Sequence, residues 1–348
     1  NAMLPAPCGG MAECRALMCG MLVSALGQAL PDRLVGDLKG GANHMYISGP
    51  HPDNGGLFLL YEYPAAGTGA TQHTDGSHAV RAFPEGDFNT VQATEIVEAQ
   101  CPIRVIQYGL REGSCGDGTF RGGCGLRRDL ELMVDGSALS VLGDKNVIPP
   151  FGVAAGVSGA ANRFTVVRDG EQIEPSPIPG KVGAFPLRKG DVVRMESSGG
   201  GGYGDPLVRD PDRVQRDVTL GYISSDQAEA RYGVVLDGTG AVDDGATTAK
   251  REKIRAARVA APAQLANDID ETAKQRDIQL PENLADRLGI RGGDLIELTT
   301  PASGAALRGW ASIAAAADQL RLGPEAMSVL GARAGDAIEI RSVARTPA

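Results

Sequence analysis

Aromatic side chains make up only 4% of this 348-residue sequence, with one tryptophan and four histidines. Such a chain has few large rings to pack and few imidazoles for metal or proton chemistry. No apolar run approaches the roughly 20 residues that span a bilayer, so no membrane partner is expected. Basic blocks are lacking, and the formal charge is −9. Phosphate neutralisation supplies most nucleic-acid affinity, so nucleic acid is excluded as a partner. There is no G-x-x-x-x-G-K-[S/T] loop, so no ATP site is expected on this chain itself. The six cysteines are Cys8, Cys14, Cys19, Cys101, Cys115 and Cys124; they form no C-x-x-C pair and match no common zinc spacing. Asn1-Ala2-Met3 reads as a cloning scar before a start methionine, with no secretory signal. A reducing cytoplasm and free thiols are therefore expected. Cys115 and Cys124 read as small buried thiols, because no histidine neighbours them in sequence to activate a nucleophile.

What the chain has in excess is glycine, 48 residues of it, beside an ordinary 42% of hydrophobic residues. Glycine at that density means tight turns and close backbone approaches, and argues for a β-rich body over a helical bundle. Residues 11–30 place Met18, Met21, Leu22, Ala25, Leu26 and Leu30 at helical spacing up to Pro31, which predicts a helix packed on a sheet. Residues 40–90 alternate short apolar runs with polar loops and hold all four histidines. Strands are predicted at 103–106, 130–134 and 164–167, with hairpin signals at Asp135-Gly136 and Asp169-Gly170. Beyond Asp205-Pro206 come two short helices, the second capped by a serine at 224–225. Residues 237–277 read as a linker and charged connector helix.

The tail repeats itself. Leu288-Gly289-Ile290-Arg291-Gly292-Gly293-Asp294 returns forty-two residues later as Leu330-Gly331-Ala332-Arg333-Ala334-Gly335-Asp336. Each half reads strand, short helix, Gly-Asp turn, strand. Neither half buries a sheet face alone, so the two should close into one small barrel over 278–343. The Gly-Asp boxes resemble those of double-psi β-barrels. The expected fold is thus α+β and β-rich: an antiparallel sheet body with few helices, plus a small carboxy-terminal β-barrel.

The most specific stretch is Gly199-Gly200-Gly201-Gly202-Tyr203-Gly204-Asp205-Pro206-Leu207, followed by Arg209-Asp210-Pro211. Upstream stand Pro102-Ile103-Arg104-Val105, Arg111-Glu112-Gly113-Ser114, Gly116-Asp117-Gly118, Arg121-Gly122-Gly123-Cys124-Gly125 and Pro149-Pro150-Phe151-Gly152. This ordered series, over residues 4–236, resembles the hydantoinase B/oxoprolinase family, in its carboxy-terminal part. The resemblance implies a subunit of an ATP-dependent amidohydrolase acting on a cyclic amide, or of an acetone- or acetophenone-type carboxylase. A non-catalytic assembly subunit is the remaining reading. It implies an A-type ATPase partner that holds ATP, an oligomeric complex, and a divalent metal in that complex. The family's amino-terminal, metal-associated segment has no counterpart in residues 1–10, so a separate chain or sequence outside this one would supply it.

Candidate site residues follow. Asp75 and His78 sit in His73-Thr74-Asp75-Gly76-Ser77-His78, where imidazole and carboxylate suit general acid–base work. His73, Asp75 and His78 are weak metal-ligand candidates, and the alternative is a solvated Asp-Gly turn. Glu62 and Asn89 would join them in one pocket; the alternatives are an edge-strand charge and a turn residue. The run from Gly199 to Asp205 reads either as an amide cradle for a substrate or partner, or as a tight structural connection.

Overall fold

The computed structural model describes residues 8–30, 33–38, 41–80, 92–271, 276–300, 303–314 and 317–344. Strands β1 (His44–Pro50), β2 (Leu57–Glu62), β5 (Ser137–Leu142) and β8 (Lys181–Leu187) form an antiparallel sheet ordered β2-β1-β5-β8. Strands β3 (Ile103–Leu110), β4 (Leu126–Leu132), β6 (Arg163–Arg168), β7 (Glu171–Ile173) and β9 (Val192–Glu196) form a second, ordered β3-β4-β9-β6-β7. Their inner faces share one core that includes Met45, Ile47, Leu60, Leu130, Leu139, Phe164, Val193 and Met195. Period-two patterning drives this: in β2, Phe58, Leu60 and Glu62 are buried while Leu57, Leu59 and Tyr61 face out. Helix α2 (Thr94–Gln100) adds Val97 to the same core. The antiparallel, β-rich reading holds.

The two Asp-Gly signals behave differently. Asp169 (φ 53°) and Gly170 (φ 83°) both lie in the left-handed region, as the turn joining β6 to β7 requires. Asp135-Gly136 makes no hairpin: β4 and β5 lie in different sheets, so the turn carries the chain across the core.

Helix α1 (Cys8–Ala29) forms where the spacing predicts. Its packing differs from expectation, because Met18, Met21, Leu22 and Leu26 are 53%, 62%, 61% and 59% exposed. Its buried positions include Ala16, Gly27 and Glu13, whose carboxylate accepts from the Asn43 amide at 2.5 Å. The helix is apolar nearly all round, so no narrow stripe dictates which face turns inward.

Residues 199–204 run between other extended segments, with peptide groups in place of side chains as the contact surface. The Gly200, Gly201 and Gly202 amides donate to the carbonyls of Gly123, Asp37 and Val157 at 2.9, 3.0 and 3.0 Å. Their carbonyls accept from Gly116, Ala70 and Val153 at 2.9, 2.9 and 3.0 Å. Consecutive residues thus address different neighbours, as a backbone with three residues per turn does. A Cβ at Gly200, Gly201 or Gly202 would stand 1.9, 1.7 or 2.0 Å from a backbone oxygen. Only glycine lets the chains approach this closely.

The same bundle corrects the reading of two cysteines. Cys115 and Cys124 are joined in a disulfide, with Cα atoms 4.5 Å apart. Gly116 and Gly123 both bond to Gly200, which brings the neighbouring cysteines together in a way that sequence distance does not reveal. Cys14, Cys19 and Cys101 are free thiols.

Past the bundle, Asp210 caps α3 (Pro211–Thr219), and Ser224 and Gln227 make a capping box at α4 (Ser225–Gln227). Helix α5 (Asp244–Ala257) follows. The tail is a closed six-stranded barrel of β10 (Ala260–Leu265), β11 (Asp277–Pro281), β12 (Leu295–Thr300), β13 (Ser303–Ala314), β14 (Leu320–Leu322) and β15 (Ala337–Ala344). Helices α6 (Glu282–Leu288) and α7 (Pro324–Val329) occupy equivalent places in the two halves. So do the Gly-Asp turns: Asp294 accepts from Arg291 N at 2.9 Å and Asp336 from Arg333 N at 2.8 Å. The barrel begins earlier than 278, because β10 belongs to it; Ala260-Ala261-Pro262-Ala263 carries little strand propensity and gave no signal. Arg341 donates to Ala155 O at 3.0 Å, and Arg308 to Pro149 O at 2.6 Å and to Ser158, fastening barrel to body. Among the described residues no helix is long and apolar enough to cross a membrane.

A chemical-denaturation comparison tests the bundle. Gly201→Ala is expected to lose several kcal/mol of stability or fail to fold, because backbone must move on every side. Gly183→Ala, with nothing within 4 Å of the new Cβ, is expected to stay within about 1 kcal/mol of the parent.

Candidate functional site

The bundle places the histidine loop against the Arg121 segment. Gly76 N donates to Arg121 O at 2.7 Å, and Arg121 N donates back to Asp75 Oδ1 at 2.8 Å. Thr71 Oγ1 accepts from the amides of His73 and Thr74 and shapes the loop between. On the other side, the segment after the glycine run delivers Arg209, and α3 delivers Arg213, Arg216 and Asp217.

These elements enclose a cavity of about 420 Å³ lined by His73, Thr74, Asp75, Arg121, Arg209, Arg213, Arg216, Asp217, Leu220 and Tyr222. Arg209 is 1% exposed. It forks onto Asp75 through Nη1 (2.7 Å) and Nη2 (2.9 Å), and its Nη2 also reaches Asp217 at 2.8 Å. Arg121 Nε donates to the other Asp217 oxygen at 2.9 Å. Burial pushes the Asp75 carboxyl upward, but the hydrogen bonds and charge of Arg209 and the charge of Arg121 outweigh it, so its pKa lies below the usual range. Burial opposes the Arg209 charge, yet its bonds to Asp75 and the nearby carboxylates hold the guanidinium firmly protonated.

His78 stands behind this wall. Its ring lies 4.2 Å from that of Tyr222, and Nδ1 accepts from Cys124 N at 2.9 Å. Nε2 faces Arg121 Nη2 at 3.0 Å. Burial first, then the Arg121 charge, lowers the His78 pKa to about 4. At neutral pH it is an uncharged ring that backs Arg121, with no proton to donate as an imidazolium.

The structure brings Asp75 and His78 together and separates Glu62 from them. Glu62 is paired with fully buried Arg128, beside Cys101 and Tyr108, and lines no part of the cavity. The strand periodicity turns it inward, where the edge-charge alternative also fails. Its pKa is raised, by burial, against the Arg128 charge. Asn89 lies outside the described residues. In the glycine run, the amides of Gly200, Gly201, Gly202, Tyr203 and Gly204 all donate to carbonyls of this chain, which is the structural connection rather than an open amide nest. Asp205 caps a turn by accepting from Leu207 N and pairs with Arg258.

His73, Asp75 and His78 do not fit a metal. Both Asp75 oxygens are held by arginines, and the His78 Nδ1 lone pair takes a backbone amide. Among the described residues, the His/Cys/Asp/Glu group of three with metal-like spacing is His78, Cys115 and Cys124, whose sulfurs are joined to each other. The residues missed from sequence are Arg121, Arg209, Arg213, Arg216, Asp217 and Tyr222. One signal was there: 209, 213 and 216 repeat at helical spacing in an otherwise acidic chain.

The profile of the Hydantoinase B/oxoprolinase family matches residues 1–206. An uncharacterized protein of Methanocaldococcus jannaschii is 35% identical over 68% of this chain and 40% of its own length. The caprolactamase subunit beta of Pseudomonas jessenii is 32% identical over 65% of this chain and 40% of its own length. The crystal structure of the ATP-dependent caprolactamase from that organism superposes with a TM-score of 0.56 at 30% identity, covering 66% of this chain and 40% of that one. Nucleotide-free acetone carboxylase, at 21% identity, shares the fold with a TM-score of 0.57 over 66% of this chain and 35% of that one. The chain thus spans about 40% of the length of these sequence relatives.

The half-buried His78 ring predicts a pH dependence of stability. Unfolded, it takes up a proton near its ordinary 6.5; folded, only near 4. Its contribution is therefore constant above pH 6.5 and falls as pH drops from 6.5 to 4. Urea midpoints across that range should fall less steeply for His78→Gln, by up to about one proton's worth of linkage. An unchanged slope would mean that His78 takes up its proton as readily in the folded chain as in the unfolded one.

Proposed function

We propose that this chain, which belongs to the Hydantoinase B/oxoprolinase family, forms the carboxy-terminal part of the B-type subunit of an ATP-dependent enzyme that opens cyclic amides. The observation that carries the reading is the caprolactamase match, 30% identical with a TM-score of 0.56 over 66% of this chain. Acetone carboxylase is the second likeness, its alpha subunit being 29% identical over 58% of this chain, which makes carboxylation the second reading.

In this proposal an A-type ATPase partner holds ATP and transfers its γ-phosphoryl group to the lactam oxygen; water adds to the activated carbon, the ring C–N bond breaks as the nitrogen takes a proton, and the acyl phosphate that remains is hydrolysed to carboxylate and phosphate. Another chain, or the rest of the subunit, supplies the remaining part of the family's sequence, including any metal ligands. This chain contributes shape and charge. Asp75 and Asp217 are positioning residues that hold Arg209 and Arg121 at the cavity wall, and the His78 ring packs beside Tyr222 behind them. Neither carboxylate is free to act as a base, because each is clamped in charge-assisted bonds. Proton transfer is thus assigned to the rest of the complex.

The test is reconstitution. The chain is purified with its A-type ATPase and the remaining B-type sequence, and ATP hydrolysis is followed with and without a lactam. Lactam-stimulated turnover, with ring-opened product, should require this chain. Turnover that instead demands bicarbonate and a ketone would move the assignment to the carboxylases. Turnover indifferent to this chain would reduce it to an assembly role.

A further inference from the structure

We propose that the cavity between α3 and the Asp75 loop is a binding site for the phosphoryl group of a small organic phosphate. It deepens the cyclic-amide reading, in which a phosphorylated intermediate is such a molecule, but the binding argument rests on the cavity itself.

Charge is the first ground. The cavity is lined by four arginines and two aspartates, an excess of two positive charges on a chain whose formal charge is −9. Asp75 and Asp217 are consumed by Arg209 and Arg121. Arg213 and Arg216 have no carboxylate partner among the described residues, although both line the cavity. The acids at the start of α3 do not answer them: Asp210 caps the helix by accepting from Asp212 N at 3.0 Å, and neither Asp210 nor Asp212 lines the cavity.

Geometry is the second. Arg213 and Arg216 are three residues apart on one helix, so they project from the same face. Arg213 stacks over Phe120 at 5.6 Å, which steadies its side chain. Arg209, 1% exposed on the same wall, has its two terminal nitrogens committed, while its Nε lacks a hydrogen-bond partner. Two uncompensated guanidiniums one turn apart suit a dianion centred on one atom, with several acceptor oxygens, better than a monocarboxylate.

Size is the third. About 420 Å³ exceeds what a bare phosphate fills, and Leu220 and Tyr222 offer apolar wall beside the arginines. The fit is a phosphoryl group carrying a small organic body.

Titration calorimetry of the full chain with inorganic phosphate at constant ionic strength tests the site, with acetate and succinate as carboxylate comparators. Phosphate should bind one per chain, at least tenfold more tightly than either carboxylate. Arg213→Gln and Arg216→Gln should each weaken it by roughly tenfold, and the double variant should abolish it. Both side chains are exposed on α3, so thermal midpoints should not move. Arg287→Gln, on the barrel, should bind as the parent does. No phosphate binding at tens of millimolar, undiminished binding by the double variant, or equal binding of succinate would each overturn the assignment. Lactam-dependent turnover in the reconstituted complex can fail while phosphate binding persists, so the two proposals fall separately.

Discussion

Contact between bare peptide groups at Gly200, Gly201 and Gly202 is the constraint from which the rest of this structure follows. Each of the three donates to one neighbouring carbonyl and accepts from another residue's amide, with carbonyl oxygens standing where a Cβ would be. A side-chain core tolerates substitutions of similar volume because side chains can repack. A backbone core has nothing to repack. Its chains are held by hydrogen bonds whose loss leaves buried polar groups without partners, at a cost of about 1–3 kcal/mol each.

That packing explains how residues far apart in sequence make one site. Asp75, Arg121 and Arg209 lie on three stretches, and each stretch adjoins a segment of the bundle. Once the bundle is set, a chain of ion pairs runs from Arg121 through Asp217 to Arg209 and Asp75. Buried ion pairs are weak evidence of stability, because desolvation offsets much of their attraction. Here they serve to fix the direction of two guanidiniums and leave two more, on α3, without a carboxylate partner among the described residues. The Cys115–Cys124 disulfide and the neutral His78 ring sit just behind this wall.

Much of the fold was legible. Period-two runs located the strands, the forty-two-residue repeat revealed the barrel, and Ser224 marked a helix start. What escaped was long-range. The alanine-rich β10 lacked strand character and gained it only from barrel partners. Apolar α1 signalled its helix but not which face would turn inward. For the candidate site, the sequence singled out the Asp75–His78 loop, of which His73, Thr74 and Asp75 line the cavity, whereas Glu62 lies apart from it because alternation, which buries it, says nothing of its partner Arg128. The arginines went unread for a related reason. Arginine is ordinary on a surface, and only the fold shows that Arg209 is buried and that Arg213 and Arg216 share its cavity.

The account therefore stands on the glycine bundle being the most firmly held part of the molecule. Native-state hydrogen exchange of the Gly200, Gly201 and Gly202 amides measures this directly. They should exchange as slowly as the central β4 and β9 amides, with an opening free energy equal to that of global unfolding. Exchange within seconds, as for a solvated loop, would contradict the account, because the site would then have no fixed frame.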